Sequence, residues 1–206
     1  MEIIESVEKI RSLMRITFDD GSEYFLSGTL FDERPFSPGD TVNRKEFEKW
    51  LLLRQYRPAL AKAVELLAMR PCSENEIRSR LRHSGYMAET VSMVILKLNK
   101  EGFLNDTEFA KQYAASRSER LGTFRIRQDL LRKGVDSETV EETLAAVDPD
   151  IQLNSARHLV AKALRNVKSG EDPRKTRQKL FAMLARKGYS YDTGKEAIDM
   201  EFPDND

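Results

Sequence analysis

Leu81-Arg82-His83-Ser84-Gly85-Tyr86, Leu130-Leu131-Arg132-Lys133-Gly134-Val135 and Leu184-Ala185-Arg186-Lys187-Gly188-Tyr189 align without a gap. The match runs on past each glycine, where Glu89-Thr90, Glu138-Thr139 and Asp192-Thr193 place an acid and then a threonine at equal spacing. The pattern spells a helix end followed by a helix start. The leucine closes the apolar stripe of one helix, and the glycine takes a left-handed C-cap. The apolar residue after it packs back on the preceding turn. The acid falls in the first turn of the next helix, where the helix dipole favours negative charge. The units recur at a period of roughly fifty residues, room for three short helices each. One such unit buries too little apolar surface to stand alone, so three are expected to stack in tandem.

The punctuation outside these segments agrees. Ser73 with Glu76 and Asn105 with Glu108 have capping-box spacing, and Asp106 is expected to cap a helix. Asp148-Pro149 and Asp172-Pro173 each set an acid before a proline at a first helical position. Gly85, Gly102, Gly122, Gly134 and Gly188 fall where helices are expected to stop. Trp50-Leu51-Leu52-Leu53 belongs to a helix that docks the front of the chain on the first repeat. The front itself reads differently. Arg15-Ile16-Thr17-Phe18 and Glu23-Tyr24-Phe25-Leu26 flank Asp19-Asp20-Gly21-Ser22, a hairpin signal, with residues 3–10 available as a neighbouring strand. The fold class expected is mostly α, a tandem array of three three-helix repeats with a small N-terminal β-hairpin module. The boundaries are a hairpin module and connector at 1–42, a linking helix at 43–57, repeats at 58–105, 106–148 and 149–202, and an acidic tail at 203–206.

Of the 206 residues, 40% are apolar and 33% charged, which is enough for a core beneath a highly charged surface. Net charge is formally zero, so the molecule as a whole is no cationic nucleic-acid binder, although 111–133 and 157–187 are locally basic. The single cysteine, Cys72, excludes an internal disulfide framework and a Cys-rich metal site, and it fits a reducing compartment. His83 and His158 have nothing beside them to complete a metal set, and no catalytic spacing is present. No apolar run is long enough for a membrane span, and residues 1–7 carry acids where a signal peptide would carry bases. A cytoplasmic monomer without a cofactor, and not an enzyme, is expected.

Several spaced segments together resemble the RecX family. Arg70, Ser73, Glu76-Ile77 and Leu81 are followed by Gly102-Phe103-Leu104-Asn105-Asp106, Phe109-Ala110 and Tyr113, then by Arg117, Gly122, Arg125-Ile126, Leu130 and Lys133-Gly134. The likeness covers about residues 59–202. Pro71-Cys72 and the absence of net positive charge depart from the family's habit; the second weighs against direct DNA binding more than against recombinase binding. The resemblance implies a helical-repeat regulator that binds the RecA–DNA filament. There it restrains ATP turnover, strand exchange and co-protease activity, and so modulates DNA repair and the SOS response.

Phe103, Leu104, Phe109 and Tyr113 are expected in the core on their helical spacing. The partner-binding candidates are basic: Arg117, Arg120, Arg125, Arg127, Arg132 and Lys133 in one cluster, and Arg174, Lys175, Arg177 and Lys179 in another. Arginine suits bidentate pairing to carboxylate or phosphate. The plain alternative is a solvated helix face paired with nearby acids. A second functional reading is a direct DNA-binding protein of helix-turn-helix type, touching single- or double-stranded DNA.

Overall fold

The computed structural model describes residues 1–167 and 171–203, so 204–206 of the expected acidic tail lie outside the described residues. The chain forms two compact units, Met1–Asn105 and Asp106–Asp206.

The first unit begins with strands β1 (Glu2–Ile10), β2 (Leu13–Phe18) and β3 (Glu23–Ser27). After helix α1 (Gly28–Glu33) comes a short β4 (Thr41–Val42). The antiparallel sheet has the order β3-β2-β1-β4. The hairpin and its neighbouring strand fall where the alternation places them, with Gly21 at φ 80° in the β2–β3 loop. The connector, by contrast, is structured. Ser27 caps α1, and β4 pairs with the start of β1. A strand of two residues and a helix of six are too short to show a period. Ile4, Ile16, Phe18, Leu26 and Val42 form one buried face of the sheet, closed by Phe36, Phe47 and Leu51.

Phe47 and Leu51 lie on α2 (Arg44–Met69), which starts at the N-cap Asn43. This helix is continuous through Pro58, so the boundary expected between a linking helix and a first repeat falls inside one element. A mid-helix proline removes one N–H and is normally a break, but Pro58 sits at an exposed position. Trp50 packs under the sheet, whereas Leu53 points to solvent. Farther along, Ala59 and Ala63 pack with α3 (Glu74–His83) and α4 (Ala88–Lys100) around Ile77, Leu81, Val91, Val94, Ile95 and Leu98. The Ser73–Glu76 capping box is complete.

Gln55 joins the two layers. Its buried amide donates to the Phe25 carbonyl at 3.1 Å and the Gly85 carbonyl at 3.4 Å. Its oxygen accepts from the Met87 N–H at 2.9 Å and the Thr90 hydroxyl at 3.2 Å. One side chain thus satisfies backbone groups of β3 and of the α3–α4 turn, which burial would otherwise leave unpaired.

The second unit holds α5 (Asp106–Ser118), α6 (Thr123–Arg132) and α7 (Ser137–Ala145), then α8 (Pro149–Leu164), α9 (Pro173–Arg186) and α10 (Tyr191–Glu201). Ile126, Leu130, Val135 and Val140 centre the core of the first trio. Val160, Leu180, Leu184, Tyr189 and Ile198 centre that of the second. Asp148 and Asp172 cap α8 and α9 ahead of their prolines. Asp106 is itself the first residue of α5 and contributes to the dipole there, one position inside the cap expected of it.

The aligned segments form the same turn three times. Gly85, Gly134 and Gly188 have φ of 84°, 82° and 84°. The N–H groups of Tyr86, Val135 and Tyr189 bond the carbonyls of Leu81, Leu130 and Leu184 at 3.3, 3.2 and 3.1 Å. These are the six-to-one bonds of a Schellman cap. Met87, Asp136 and Ser190 then start the next helix.

Gly122 is different from its expected role. It has ordinary φ and is the N-cap of α6 instead of the end of α5. What it serves is a close approach. Its N–H donates to the Lys187 carbonyl at 3.0 Å, and the Phe124 N–H donates to the Gly188 carbonyl at 3.1 Å. Two backbones touch here with no side chain between them. Gln152 repeats the Gln55 device beside this contact, accepting from the Thr123 N–H and donating to the Ser118 and Leu121 carbonyls.

Phe103 also departs from expectation. It is 59% exposed, while Leu104 and Phe109 are buried. Gly102 ends the helix in a left-handed conformation, so Phe103 follows a chain reversal and the helical spacing no longer fixes its direction.

Candidate partner-binding surface

Helices α5–α7 gather most of the first basic cluster around one acid. Asp129 on α6 is only 7% exposed. It faces the Arg125 guanidinium at 3.4 Å, pairs with Arg132, and accepts a hydrogen bond from the Tyr113 hydroxyl at 3.2 Å. Burial, and then the charge of Asp129, push the Tyr113 phenol above its ordinary pKa. Arg117 and Lys133 lie against the same ring, each 5.4 Å from its centroid, a cation–π arrangement. Arg117, Arg125, Arg132 and Lys133 are therefore brought together by Asp129 and Tyr113. Sequence reading assigned Tyr113 to core packing, where it is partly buried, and did not single out Asp129. Asp129 carried a signal in hindsight, since it is an acid three residues before Arg132 and four after Arg125, helical neighbours on one face.

The other candidates scatter. Arg127 pairs with Glu141 of α7 at 2.5 Å. Arg177 pairs with Asp199 and donates to the Phe202 carbonyl at 2.8 Å, tying α9 to the end of α10 where helix carbonyls need donors. Lys179 pairs with Glu171. Arg120, Arg174 and Lys175 are exposed, and no ion pair is formed by them among the described residues. Arg174 and Lys175 sit in the first turn of α9. The dipole disfavours cations there, so helix stability does not account for them.

A second missed feature lies on α6. Phe124 and Leu131 are 51% and 44% exposed. They are seven apart on one helical face with Gln128 between them, and the Arg127 guanidinium is 5.8 Å from the Phe124 ring. The aligned positions hold Asn75 and Arg82 in the first segment and Gln178 and Ala185 in the third. Large exposed apolar side chains at these positions thus belong to the middle segment.

One group of carboxylates, Glu2, Asp19 and Asp20, is close enough to hold a cation, but Arg44 already fills the role. Its guanidinium pairs with Glu2 and with Asp20 at 3.0 Å, and stacks 4.2 Å from the Phe18 ring. The Ser22 hydroxyl and N–H, with Arg44 behind them, hold the Asp20 carboxyl down at about 2. Among the described residues, no helix is long and apolar enough to cross a membrane.

Three family models match in order: the first three-helix domain of RecX at residues 59–98, the second at 105–144 and the third at 150–198. A regulatory protein RecX of Clostridium botulinum (strain Eklund 17B / Type B) is 26% identical over 98% of this chain and 97% of its own length. One from Mycobacterium leprae (strain Br4923) is 34% identical over 66% of this chain and 80% of its own. A crystal structure of regulatory protein RecX superposes with a TM-score of 0.66 at 20% identity, covering 97% of this chain and 100% of the other, which shows a shared fold. With its three helical domains matched in order and relatives alike along nearly its whole length, the chain belongs to the RecX family.

Proposed function

We propose that this chain is a regulatory protein that binds the RecA–DNA filament and restrains its ATP hydrolysis, strand exchange and co-protease activity. It does so by occupancy and not by catalysis, as a cytoplasmic monomer. The relatives' printed name, regulatory protein, supports the general role. The observation that carries the choice of a protein partner is the exposed face of α6, where Phe124 and Leu131 stand beside arginines. Aromatic residues and arginine are the enriched anchors of protein interfaces, whereas a reader of DNA backbone needs cations and little exposed apolar surface. Arg120, Arg174 and Lys175 extend the contact to acidic protein surface or to phosphate. Repeats linked in one chain gain effective concentration along a polymer.

The test is ATP hydrolysis by RecA on single-stranded DNA, titrated with this protein. Inhibition below one regulator per recombinase is expected. It should weaken on Phe124→Glu and on combined Arg120→Glu and Arg174→Glu. These positions suit the test better than Arg125 or Arg127, whose ion pairs with Asp129 and Glu141 confound charge reversal with stability. Absence of inhibition, together with tight and steeply salt-dependent binding to DNA alone, would establish the second reading, a DNA-binding protein of helix-turn-helix type.

A further inference from the structure

Within the first unit, a groove of about 1040 Å³ lies between the β1–β2 turn and β3 on one side and α2 with the end of α3 on the other. The filament reading makes no use of it. Its floor includes Gln55 and Gly85, whose polar groups bond to each other and to neighbouring backbone, so the floor asks for no ligand of its own. Ile10, Leu13, Leu30 and Pro58 give the walls an apolar character. The charges in the lining are uneven: Arg11, Arg54, Lys62 and Arg82 against Glu33 alone. Glu33 is engaged by Arg54 at 3.3 Å. Arg11, Lys62 and Arg82 are exposed and form no ion pair among the described residues. A chain of zero net charge thus concentrates cations at one concave site.

Arg11 adds an independent point. It sits in the two-residue turn between β1 and β2 at φ 56°, where it is the one non-glycine residue of positive φ among those described. Glycine or asparagine adopts that conformation more readily. The backbone therefore does not select arginine there, and its side chain stands in the groove lining.

We propose that this groove binds an extended segment of a partner protein that is both acidic and apolar. Carboxylates of the segment meet Arg11, Lys62 and Arg82, and its aliphatic side chains lie on the walls. Nucleic acid fits less well. The aromatic residues of the lining, Phe25 and Tyr86, are half-buried, so they present less ring surface for bases to stack on than an exposed platform would. The apolar walls have no counterpart in a phosphodiester backbone.

The test uses the full chain and a fluorescein-labelled peptide of alternating Glu and Leu, about twelve residues long. Anisotropy is read at about 0.15 M salt, beside a Lys-Leu peptide and an oligothymidylate of equal length. Saturable binding of the Glu-Leu peptide alone is expected. Combined Lys62→Glu and Arg82→Glu should weaken it roughly tenfold, and Glu33→Gln, which removes the groove's acid, should strengthen it, a gain that misfolding cannot mimic. Arg11→Gly should weaken binding while the thermal midpoint stays or rises. No saturable binding of the acidic peptide overturns the proposal. So does equal binding by the double variant, which puts the peptide elsewhere, and so does preference for the oligothymidylate, which makes the groove a nucleic-acid site.

Discussion

Replacing Gly122 by alanine perturbs the contact between α6 and the α9–α10 turn without changing what the backbone of residue 122 must do. A Cβ at this position would lie 2.1 Å from the Gly188 oxygen and 2.2 Å from both the Gly188 carbonyl carbon and the Tyr189 nitrogen. All three are backbone atoms of a turn fixed by its own Schellman bonds, so no flexible side chain can yield. Relief requires the two segments to part, which lengthens the hydrogen bonds from Gly122 to Lys187 and from Phe124 to Gly188. Two such bonds are worth about 0.5–1.5 kcal/mol each, and overpacking adds about 1–3 kcal/mol. A loss of about 3 kcal/mol follows. For a unit of this size that lowers the thermal midpoint by roughly 12–24 °C. Urea denaturation followed by circular dichroism reads it as a lower midpoint of the transition that reports Asp106–Asp206. Gly28→Ala is the control, since a Cβ there meets nothing within 4 Å. If Gly122→Ala stays within about 0.5 kcal/mol of the parent, in the range of ordinary surface changes, the backbone-to-backbone contact is refuted.

Gln152→Leu leaves the Thr123 N–H and the Ser118 and Leu121 carbonyls without their buried partner. It should destabilise the second unit by about 2–4 kcal/mol in the same denaturation assay. Asp129→Ala removes the shared partner of Tyr113, Arg125 and Arg132. A loss of about 1–2 kcal/mol is expected, modest because the arginines are largely solvated, and the Tyr113 phenol should titrate lower in ultraviolet difference spectra. Asp20, depressed to about 2 when folded, contributes stability that is complete above its unfolded value near 3.8 and is lost as pH falls towards 2. Its side-chain carboxyl carbon should titrate near 2 by NMR, and Asp20→Asn should flatten the acid limb of the stability curve; a midpoint near 3.8 contradicts the Ser22 and Arg44 contacts.

The sequence announced the helical repeat through residues whose backbone chemistry is local. A left-handed glycine, a capping serine or a proline at a first helical position needs no distant partner to be read, and Gly85, Gly134, Gly188, Ser73 and Asp172 all fell where their chemistry places them. What escaped depends on distant contacts. Gly122 looks like any helix-ending glycine until the Gly188 turn is brought beside it. Phe103 carries the right spacing, but a chain reversal precedes it. Among the basic candidates, charge and position gave the local density. They could not tell Arg177, bound at the end of α10, from Arg174, which is exposed three residues earlier. Asp129 and Tyr113, which draw four of the cations to one place, come from different helices, and only folding joins them.

The continuity of α2 carries a consequence for how the first unit comes apart. Phe47 and Leu51 belong to the core under the sheet, and Ala59 and Ala63 to the core of the helices that follow, yet all four ride on a single helix. Melting either half frays the hydrogen-bond ladder of the other, and Gln55 at the junction loses partners in both directions. Amides at both ends of this helix should therefore exchange with solvent through one shared opening, as a single foldon. Removing residues 1–42 should bare Phe47, Trp50 and Leu51 as an apolar ridge, and the truncated chain is expected to self-associate.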